Sequence, residues 1–329
     1  MNVVGLITEY NPFHNGHKYH IEQARKITNA EYVIVVMSGN FVQRGTPAVL
    51  DKYIRTEMCL TMGADLVIEL PTCYASASAE SFALGAVSIL DHLGIVTHLV
   101  FGSECGNISD LTQVAHILAH ESDEISSSIK EYLKEGITYP HARSKALLTH
   151  CNFTSSDGTN FEELLNSPNN ILGIEYIKAL KLLSSTIIPQ TITRIGAGYH
   201  NSELTESICS ASALRQAFSR MDVNKNMPSS LPDELKKHIP KEIHSIYESK
   251  LYHSFPIMPS NMTSILKYKL LTETCDSLLN YLDMTKDIAY RISNQKYLNC
   301  TYEEIVNLIK SKQYTQTGKI ISHIKQSFW

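Results

Sequence analysis

The chain has 329 residues and a formal net charge of −4, with 43% hydrophobic and 19% charged residues. This composition is typical of a folded globular protein. It excludes long disordered regions, and no apolar run reaches the roughly 18 residues of a membrane span. The length favours two domains. The start, MNVVGLITEY, predicts a strand rather than a signal peptide, and seven scattered cysteines favour a reducing, cytoplasmic location without a zinc cluster.

Short apolar runs alternate with helical patterns over the first part of the chain. Strands are predicted over residues 3–7, 32–37, 66–70 and 97–101, and helices over residues 17–27, 52–62, 79–93 and 109–119. The order βαβαβαβ predicts an α/β fold with a doubly wound, Rossmann-like parallel sheet. The carboxyl ends of its strands then share one side, which is where such sheets bind ligands.

The remaining sequence predicts a helical insertion and a C-terminal helical domain. Residues 121–165 are more polar, with helices predicted at 125–133 and 141–148 and a loop at 154–160. The pattern then continues with a helix at 171–183, a strand near 187–195, the loop GAGYHNSE and a helix at 212–218. A loop is predicted at 222–230, and later helical patterns cover 263–272, 278–282, 287–292 and 302–309.

These patterns predict an α/β domain over residues 1–221 and a helical domain over residues 222–329. The first part carries 15 Lys and Arg against 22 Asp and Glu, whereas the second carries 14 against 11. The mild positive charge of the second part is compatible with RNA contact, although a solvated helical surface explains it equally well.

The segment TEYNPFHNGHKYH, residues 8–20, connects the first predicted strand to the first predicted helix. Gly16 allows close approach of the backbone, and a helix start offers N–H groups and a positive dipole end. His14 and His17 add side-chain donors on the same turn. The arrangement predicts a polyphosphate site, and the alternative is a pair of histidines that cap or pack at a helix start.

Two glycine-containing segments follow other strands. In SGNFVQRGTPAVLDKYIR, Gln43 and Arg44 can reach an anion while Asp51 is a good helix N-cap, although an exposed loop is an equal alternative. In FGSECG, Gly102 permits the backbone to lie against a base or ribose, although a plain turn glycine fits as well.

Two further candidates lie at predicted helix starts or strand ends. In SPNNILGIEYIKAL, Asn169 can cap its helix or bind a ligand. Arg194 ends a strand, and CSASALR places Ser210, Ser212 and Arg215 at a helix start, which suits phosphate binding or simple capping. Because these segments share one side of the predicted sheet, we expect them to meet at one rim.

The chemistry that these residue types favour is attack on the α-phosphorus of ATP. Negative charge then develops on the α-phosphate and on pyrophosphate, so fixed donors, together with Mg²⁺ that arrives with the nucleotide, lower the barrier. The sequence contains no GxxxxGK[ST] P-loop, no GxGxxG after the first strand and no legible Ser-His-Asp arrangement.

Six segments together resemble the bacterial tRNA(Met) cytidine acetate ligase family, a branch of the HIGH-motif nucleotidyltransferase-like superfamily. They are TEYNPFHNGHKYH, SGNFVQRGTPAVLDKY, GADLVIELPTCYASASAESFALGAV, FGSECG, PNNILGIEYIKAL and ITRIGAGYH. The resemblance covers roughly residues 1–220. It implies that ATP and acetate form acetyl-adenylate and that the acetyl group passes to N4 of the wobble cytidine of elongator tRNA(Met), without acetyl-CoA as the donor.

The resemblance also implies functional residues. His14 and His17 would stabilise the transition state as the catalytic pair, Gly102 would face the nucleoside, and Ser212 and Arg215 resemble a second phosphate-binding signature. Asn169 and Arg194 would contact ATP, as would the whole segment Ile7, Thr8, Glu9, Tyr10, Asn11, Pro12, Phe13, His14, Asn15, Gly16, His17, Lys18, Tyr19 and His20.

Two alternatives to the acetate ligase remain open at this point. One is an adenylyltransferase with a different, phosphorylated acceptor, and the other is a non-catalytic nucleotide- or RNA-binding member of the superfamily. The tail bears on the latter, because family members extend past KQYTQTGKIISHI, where Gly318 and Lys319 stand at positions expected to be more basic. Either RNA binding is weakened, or the helical domain alone holds the anticodon stem.

Overall fold

The computed structural model describes residues 1–155, 158–194, 209–220, 230–251, 253–281, 284–295 and 297–309. The predicted loop GAGYHNSE, nearly all of the predicted loop at 222–230, and the tail segment with Gly318 and Lys319 lie outside these residues. Within them, no helix combines the length and apolar character that a bilayer crossing requires.

The strands are β1 (Val3–Thr8), β2 (Tyr32–Ser38), β3 (Leu66–Leu70), β4 (His98–Ser103) and β5 (Ile188–Thr193). The first ten helices are α1 (Asn15–Thr28), α2 (Lys52–Thr61), α3 (Thr72–Ala75), α4 (Ala79–His92), α5 (Ile108–Ala119), α6 (Asp123–Lys134), α7 (Tyr139–His150), α8 (Phe161–Asn166), α9 (Pro168–Leu182) and α10 (Ala211–Ser219). They are followed by α11 (Asp233–Lys236), α12 (His244–Lys250), α13 (Thr263–Thr272), α14 (Cys275–Leu278), α15 (Lys286–Ser293) and α16 (Tyr302–Ile309), with 3-10 turns at Lys241–Ile243 and Pro259–Met262.

The five strands form one parallel sheet in the order β3-β2-β1-β4-β5, which confirms the predicted doubly wound topology. The strand order reverses between β1 and β4. There β1 pairs with β2 over six positions but with β4 only at Val4 and Gly5, so β1 and β4 separate towards their carboxyl ends. This separation opens a crevice at the switch point, where doubly wound sheets bind ligands.

Each face of the sheet is covered by its own apolar cluster. Val3, Ile7 and Phe101 point towards α4, α5 and α9, whereas Val4 and Leu6 point towards α1, α2 and α10. Alternate residues of a strand point to opposite faces, so β1 supplies both clusters. Both clusters are deeply buried, as expected for a parallel sheet covered on two sides.

Helices after residue 230 divide between two cores. Leu231, Ile243, Tyr247 and Phe255 belong to the same buried cluster as α1, α2 and α10, whereas a separate cluster begins at Leu266. The boundary predicted at residue 222 does not follow this packing, which favours a division after about residue 258. Sequence periodicity identifies an amphipathic helix but does not identify the surface that the helix covers.

Candidate active site

A cavity of about 450 Å³ occupies the crevice between β1 and β4. Every segment that the sequence analysis places at the rim contributes to it. The predicted residues among its lining are Ile7, Thr8, Glu9, Tyr10, Asn11, His14, Gly16, His17, Tyr19, His20, Gln43, Arg44, Gly102, Asn169, Arg194, Ser210 and Arg215. Their gathering at one rim is therefore confirmed, and their contact with ATP stays a prediction.

His14 is both a lining residue and the N-cap of α1. Its Nδ1 accepts a hydrogen bond of 3.0 Å from the backbone N–H of Gly16. Because a backbone N–H can only donate, Nδ1 carries no proton and the ring proton of the neutral imidazole lies on Nε2. The cap thus fixes which nitrogen of His14 can donate to a ligand.

The start of α1 differs from the expectation of free backbone donors. The N–H of Asn15 donates to the carbonyl of His238 at 2.9 Å, that of Gly16 goes to His14 Nδ1, and those of His17 and Lys18 go to the His14 carbonyl. The first turn therefore offers no free N–H to a phosphate in this structure, and donors at this end must come from side chains. The contact with His238 joins residues more than 200 positions apart, which is why the local sequence does not reveal it.

His17 packs against three aromatic rings and keeps an unused nitrogen. Its ring stacks on His14 with centroids 3.8 Å apart and meets Tyr10 and Phe13 edge-on at 4.8 and 5.5 Å. Buried Nδ1 of His17 and Nε2 of His20 have no hydrogen-bond partner within the described residues. A buried polar atom without a partner is costly, so this turn gives up stability to keep its imidazoles packed beside the cavity.

Burial keeps these imidazoles neutral. Desolvation, followed by the charges of Arg194 and Arg215, lowers the pKa of His14 to about 3. Desolvation, followed by the charge of Arg194, lowers the pKa of His20 to about 4, and burial together with the neighbouring His14 lowers the pKa of His17 well below its usual value. At neutral pH the three rings act as hydrogen-bonding groups rather than as cations.

Lowering the pH will therefore reduce the stability of the wild-type protein more than that of a His14→Gln variant. The pKa of His14 is near the ordinary histidine value of 6.5 in the unfolded chain and about 3 in the folded one, so the unfolded state binds the extra proton between these values. The stability from the neutral ring is complete above about pH 6.5 and is lost as the pH falls towards 3. Urea unfolding between about pH 7.5 and 5 should show the difference between the two proteins changing by about 1.4 kcal/mol per pH unit below 6.5. A pH-independent difference would contradict a neutral His14.

Positive charge in the cavity comes from arginines. Arg44 and Arg194 line it and are exposed, and Arg215 is half-buried, with hydrogen bonds of 2.6 Å to the Asn11 carbonyl and 2.8 Å to Ser212 Oγ. Desolvation lowers the pKa of Arg215, and the Glu9 carboxylate opposes that shift. Among the described lining residues Glu9 is the one carboxylate, so the site favours an anion as highly charged as a triphosphate.

The start of α9 already holds an anion of the protein itself. The Glu104 carboxylate accepts hydrogen bonds from Asn169 Nδ2 at 2.6 Å and from the backbone N–H of Asn170 at 2.9 Å. Asn169 therefore does not cap its own helix; its Oδ1 lies 3.5 Å from Arg194 Nη1. Glu104 supplies the negative charge that a helix N-terminus favours, so this end is not the phosphate site.

Gly102 lies at the end of β4, facing Arg194. A Cβ atom at this position would come within 3.3 Å of Arg194 Cγ, which is closer than an ordinary contact. A side chain here would therefore displace Arg194 or fill the mouth of the crevice. This close approach fits the expectation that the backbone of Gly102 lies against a ligand.

Five of the residues carried over from the family resemblance do not line the cavity. Asn15 and Lys18 are bonded to the later helical segment, through the Lys237 carbonyl at 2.8 Å and Glu242 at 2.7 Å. Phe13 is fully buried, and its carbonyl accepts from Tyr247 Oη at 2.7 Å. The remaining two are Pro12 and Ser212. Ser212 accepts a hydrogen bond of 2.8 Å from Arg215 and so positions a residue that does line the cavity.

Sequence reasoning missed two sets of residues. Arg55, fully buried, donates hydrogen bonds to the carbonyls of Glu9, Ser38, Gly39 and Leu50, and so ties the exits of β1 and β2 together. A basic residue on a predicted helix gave no signal of this role. The second set is mostly apolar and lines the cavity between α4 and α9; it comprises Ala79, Phe82, Phe101, Pro168, Ile171, Leu172 and Tyr176.

Donors fixed at the end of the first strand of a doubly wound sheet suit the transfer of a nucleotidyl group, because such a transfer needs charge stabilisation more than an acid or base. The family model that matches residues 1–324 is described as HIGH Nucleotidyl Transferase. The fold and the site thus define a nucleotidyl transferase of the HIGH class.

Similar proteins identify the family within this class to which the chain belongs. The tRNA(Met) cytidine acetate ligase of Clostridium novyi is 42% identical over 321 residues, which is 96% of this chain and 76% of that protein. The one of Alkaliphilus metalliredigens is 43% identical over 323 residues, 96% of this chain and 74% of the relative. The crystal structure of Thermotoga maritima TmcAL bound with alpha-thio ATP matches 99% of this chain and 75% of its own, with 34% identity and a TM-score of 0.85. The chain belongs to the tRNA(Met) cytidine acetate ligase family.

Proposed function

We propose that this protein is an ATP-dependent ligase that activates acetate as acetyl-adenylate and transfers the acetyl group to N4 of the wobble cytidine of elongator tRNA(Met). The observation that carries the proposal is the pair of neutral, stacked histidines at the mouth of the β1–β4 crevice, faced by Arg194 and Arg215. The names of relatives that match almost the whole chain support the same acceptor and the same acid.

In the first step, an oxygen of acetate forms a bond to the α-phosphorus of ATP. The bond from that phosphorus to the oxygen bridging to the β-phosphate breaks, and pyrophosphate leaves with the electron pair. Charge grows on the leaving group, so His14 Nε2–H, the cavity-lining ring of His17 and the guanidinium of Arg215 are the groups that stabilise it.

Magnesium is part of the proposal as an ion that arrives with the nucleotide. Within the described residues, no group of three or more His, Cys, Asp or Glu side chains could hold a metal ion. Mg²⁺ is commonly bound by phosphates, water and one or two carboxylates, so a dedicated protein cage is not required. Glu9 is the carboxylate that the cavity could offer.

In the second step, the N4 amine of the cytidine attacks the acyl carbon of acetyl-adenylate. The bond between that carbon and the phosphate oxygen breaks, AMP leaves, and the amine loses one proton. For the RNA, we propose the helices after residue 260, where Tyr268 and Tyr290 are 64% and 66% exposed. Exposed aromatic rings among basic residues can stack on unpaired bases of an anticodon loop.

The first test is the exchange of labelled pyrophosphate into ATP, with and without acetate and without tRNA. We expect exchange only when acetate and a divalent cation are present, and chelation of the metal should abolish it. Exchange without acetate would indicate another acceptor, and no exchange with any acid would leave only nucleotide binding.

The second test is mass spectrometry of elongator tRNA(Met) after incubation with protein, ATP and acetate. The expected product is one N4-acetylcytidine at the wobble position. A tRNA with another base at that position is the matched control and should stay unmodified. Acetate-dependent exchange without this product would retain the adenylation step and overturn the proposed acceptor.

A further inference from the structure

One half of the cavity is apolar and lies apart from the histidine turn. Phe82 comes from α4, Phe101 from β4, and Leu172 and Tyr176 from α9. Phe82 is 3% exposed, and Phe101 and Tyr176 are each 4% exposed. All four pack in the cluster on the α4–α9 face of the sheet, whereas Tyr10 and Phe13 of the histidine turn belong to the opposite cluster.

The charged and the apolar residues of the cavity lining come from different elements. The lining arginines come from the segment after β2, the end of β5 and α10, and none of the described lining residues of α4 or α9 is charged. The polar groups on the apolar side are the Asn169 amide, which is bonded to Glu104, and the Tyr176 hydroxyl. Arg194 borders this half at Asn169, with 3.5 Å between its Nη1 and Asn169 Oδ1, and the described lining residues of α4 and α9 are uncharged. One cation at the edge of an apolar wall suits a small carboxylic acid with an alkyl group better than a phosphorylated acceptor.

The geometry of adenylation assigns a ligand to this half. In phosphoryl-type transfer the attacking and leaving oxygens lie roughly in line across the phosphorus. If pyrophosphate leaves beside His17 and Arg215, the attacking carboxylate must enter from the opposite side of the α-phosphorus. That side is the apolar half between α4 and α9.

Tyr176 is the polar group best placed to hold the acid. Its ring lies 5.6 Å from that of Phe101, and no hydrogen bond of its hydroxyl is found within the described part of the chain. Burial, together with the negative charge of Glu9, raises the pKa of Tyr176 well above its usual value, so the hydroxyl keeps its proton. A protonated phenol without a partner is a donor for one carboxylate oxygen.

We propose that this half of the cavity is the acyl pocket, in which Phe82, Phe101 and Leu172 surround the methyl group of acetate. The Tyr176 hydroxyl donates a hydrogen bond to the carboxylate oxygen that does not attack phosphorus. This inference rests on the proposed function and adds to it the residues that select a short unbranched acid. Closely packed aromatic rings leave room for a methyl group and exclude longer chains.

The size of the pocket is tested with Phe82→Ala. The rate of acid-dependent pyrophosphate exchange is measured with acetate, propionate and butyrate, and kcat/KM is compared for each acid. We expect the propionate-to-acetate ratio to rise at least 10-fold over wild type, because one methylene group in a fitted pocket is worth about 10- to 200-fold. Phe161→Ala removes the same ring from the same cluster outside the cavity and should leave the ratio unchanged. Phe82→Leu is the milder variant if Phe82→Ala does not fold.

The role of the hydroxyl is tested with Tyr176→Phe, which keeps the ring. We expect the KM for acetate to rise about 10-fold, the loss expected for one hydrogen bond to a charged group, while the Kd for ATP stays within twofold of wild type. A purely structural role would instead change ATP binding and thermal stability along with KM.

The outcomes separate this inference from the proposed function. If wild-type protein shows no acetate-dependent exchange, the proposed function fails and the acyl pocket fails with it. If wild type exchanges with acetate but neither the Phe82 variants nor Tyr176→Phe alters acid selectivity or acetate KM, only the acyl pocket is overturned.

Discussion

Replacing His17 with alanine will lower the rate of acetate-dependent pyrophosphate exchange by about 100-fold or more, the loss expected when one donor to a developing charge is removed. The His17 ring lines the cavity, its buried Nδ1 has no partner in the described residues, and its lowered pKa keeps it neutral. The readout is the exchange rate at saturating ATP and acetate. Because a donor to developing charge acts mainly in the transition state, the Kd for ATP should change much less than kcat.

Two control variants make this experiment specific. His116→Ala removes an exposed imidazole from α5, outside the cavity lining, and should leave exchange unchanged. His14→Asn keeps a good N-cap for α1 but removes the Nε2 donor, whereas His14→Ala removes both. If the histidines served only as caps and packing groups, His14→Asn would exchange at the wild-type rate and His17→Ala would lose stability rather than rate.

The sequence predicted the site best where a motif follows a strand. His14, His17, Gly102, Asn169, Arg194 and Arg215 were identified from strand ends and helix starts, and all six line the cavity. It predicted less where the polar groups of one segment hydrogen-bond to a segment far away in the sequence. The carbonyl of His238 accepts a hydrogen bond from the N–H of Asn15. The Glu104 carboxylate accepts hydrogen bonds from Asn169 and Asn170 at the start of α9. Such pairings arise from the tertiary fold, which residue spacing does not encode.

The same distinction applies to the fold. All five strands were predicted within two residues of at least one observed end. The central strands β1, β2 and β4 are buried and largely apolar, which is the pattern that marks a parallel strand in a sequence. The four-residue helices α3, α11 and α14 were missed or misplaced, because one turn is too short for helical periodicity. The domain boundary at residue 222 followed a polar stretch, whereas the apolar side chains of Leu231 to Phe255 complete the first core.

The starts of α1 and α9 are occupied by acceptors of the protein itself, which changes how the site is expected to stabilise a triphosphate. At α1 the first-turn N–H groups are bonded to His14 and to the His238 carbonyl, and at α9 they are bonded to Glu104. Favourable charge is therefore expected from Arg44, Arg194 and Arg215, together with the start of α10, where Ser210 and Ala211 line the cavity. Binding of ATP should accordingly weaken with salt more steeply than backbone donors alone would cause.

Replacing Arg55 with methionine will lower the free energy of unfolding by roughly 3–5 kcal/mol, since breaking a buried charged network leaves its partners without donors. The Arg55 side chain is fully buried and donates to the carbonyls of Glu9 and Ser38 at 2.6 and 3.0 Å, and also to those of Leu50 and Gly39. Burial lowers the pKa of Arg55 to about 10, although the carboxylates of Glu9, Asp51 and Glu69 oppose that shift, so the guanidinium is still charged at neutral pH. The measurement is urea unfolding near pH 7.5.

Lys52→Met is the matched control, because Lys52 lies three residues earlier on α2 and forms a surface ion pair of 2.6 Å with Glu69. Loss of an exposed pair should cost no more than about 1 kcal/mol. Arg55 also fixes the backbone of Glu9, which lines the cavity, so folded Arg55→Met should show a higher KM for ATP than Lys52→Met does. Equal stability of the two variants would contradict a network role for Arg55, and equal KM values would show that the hydrogen bond to Glu9 does not position the ATP site.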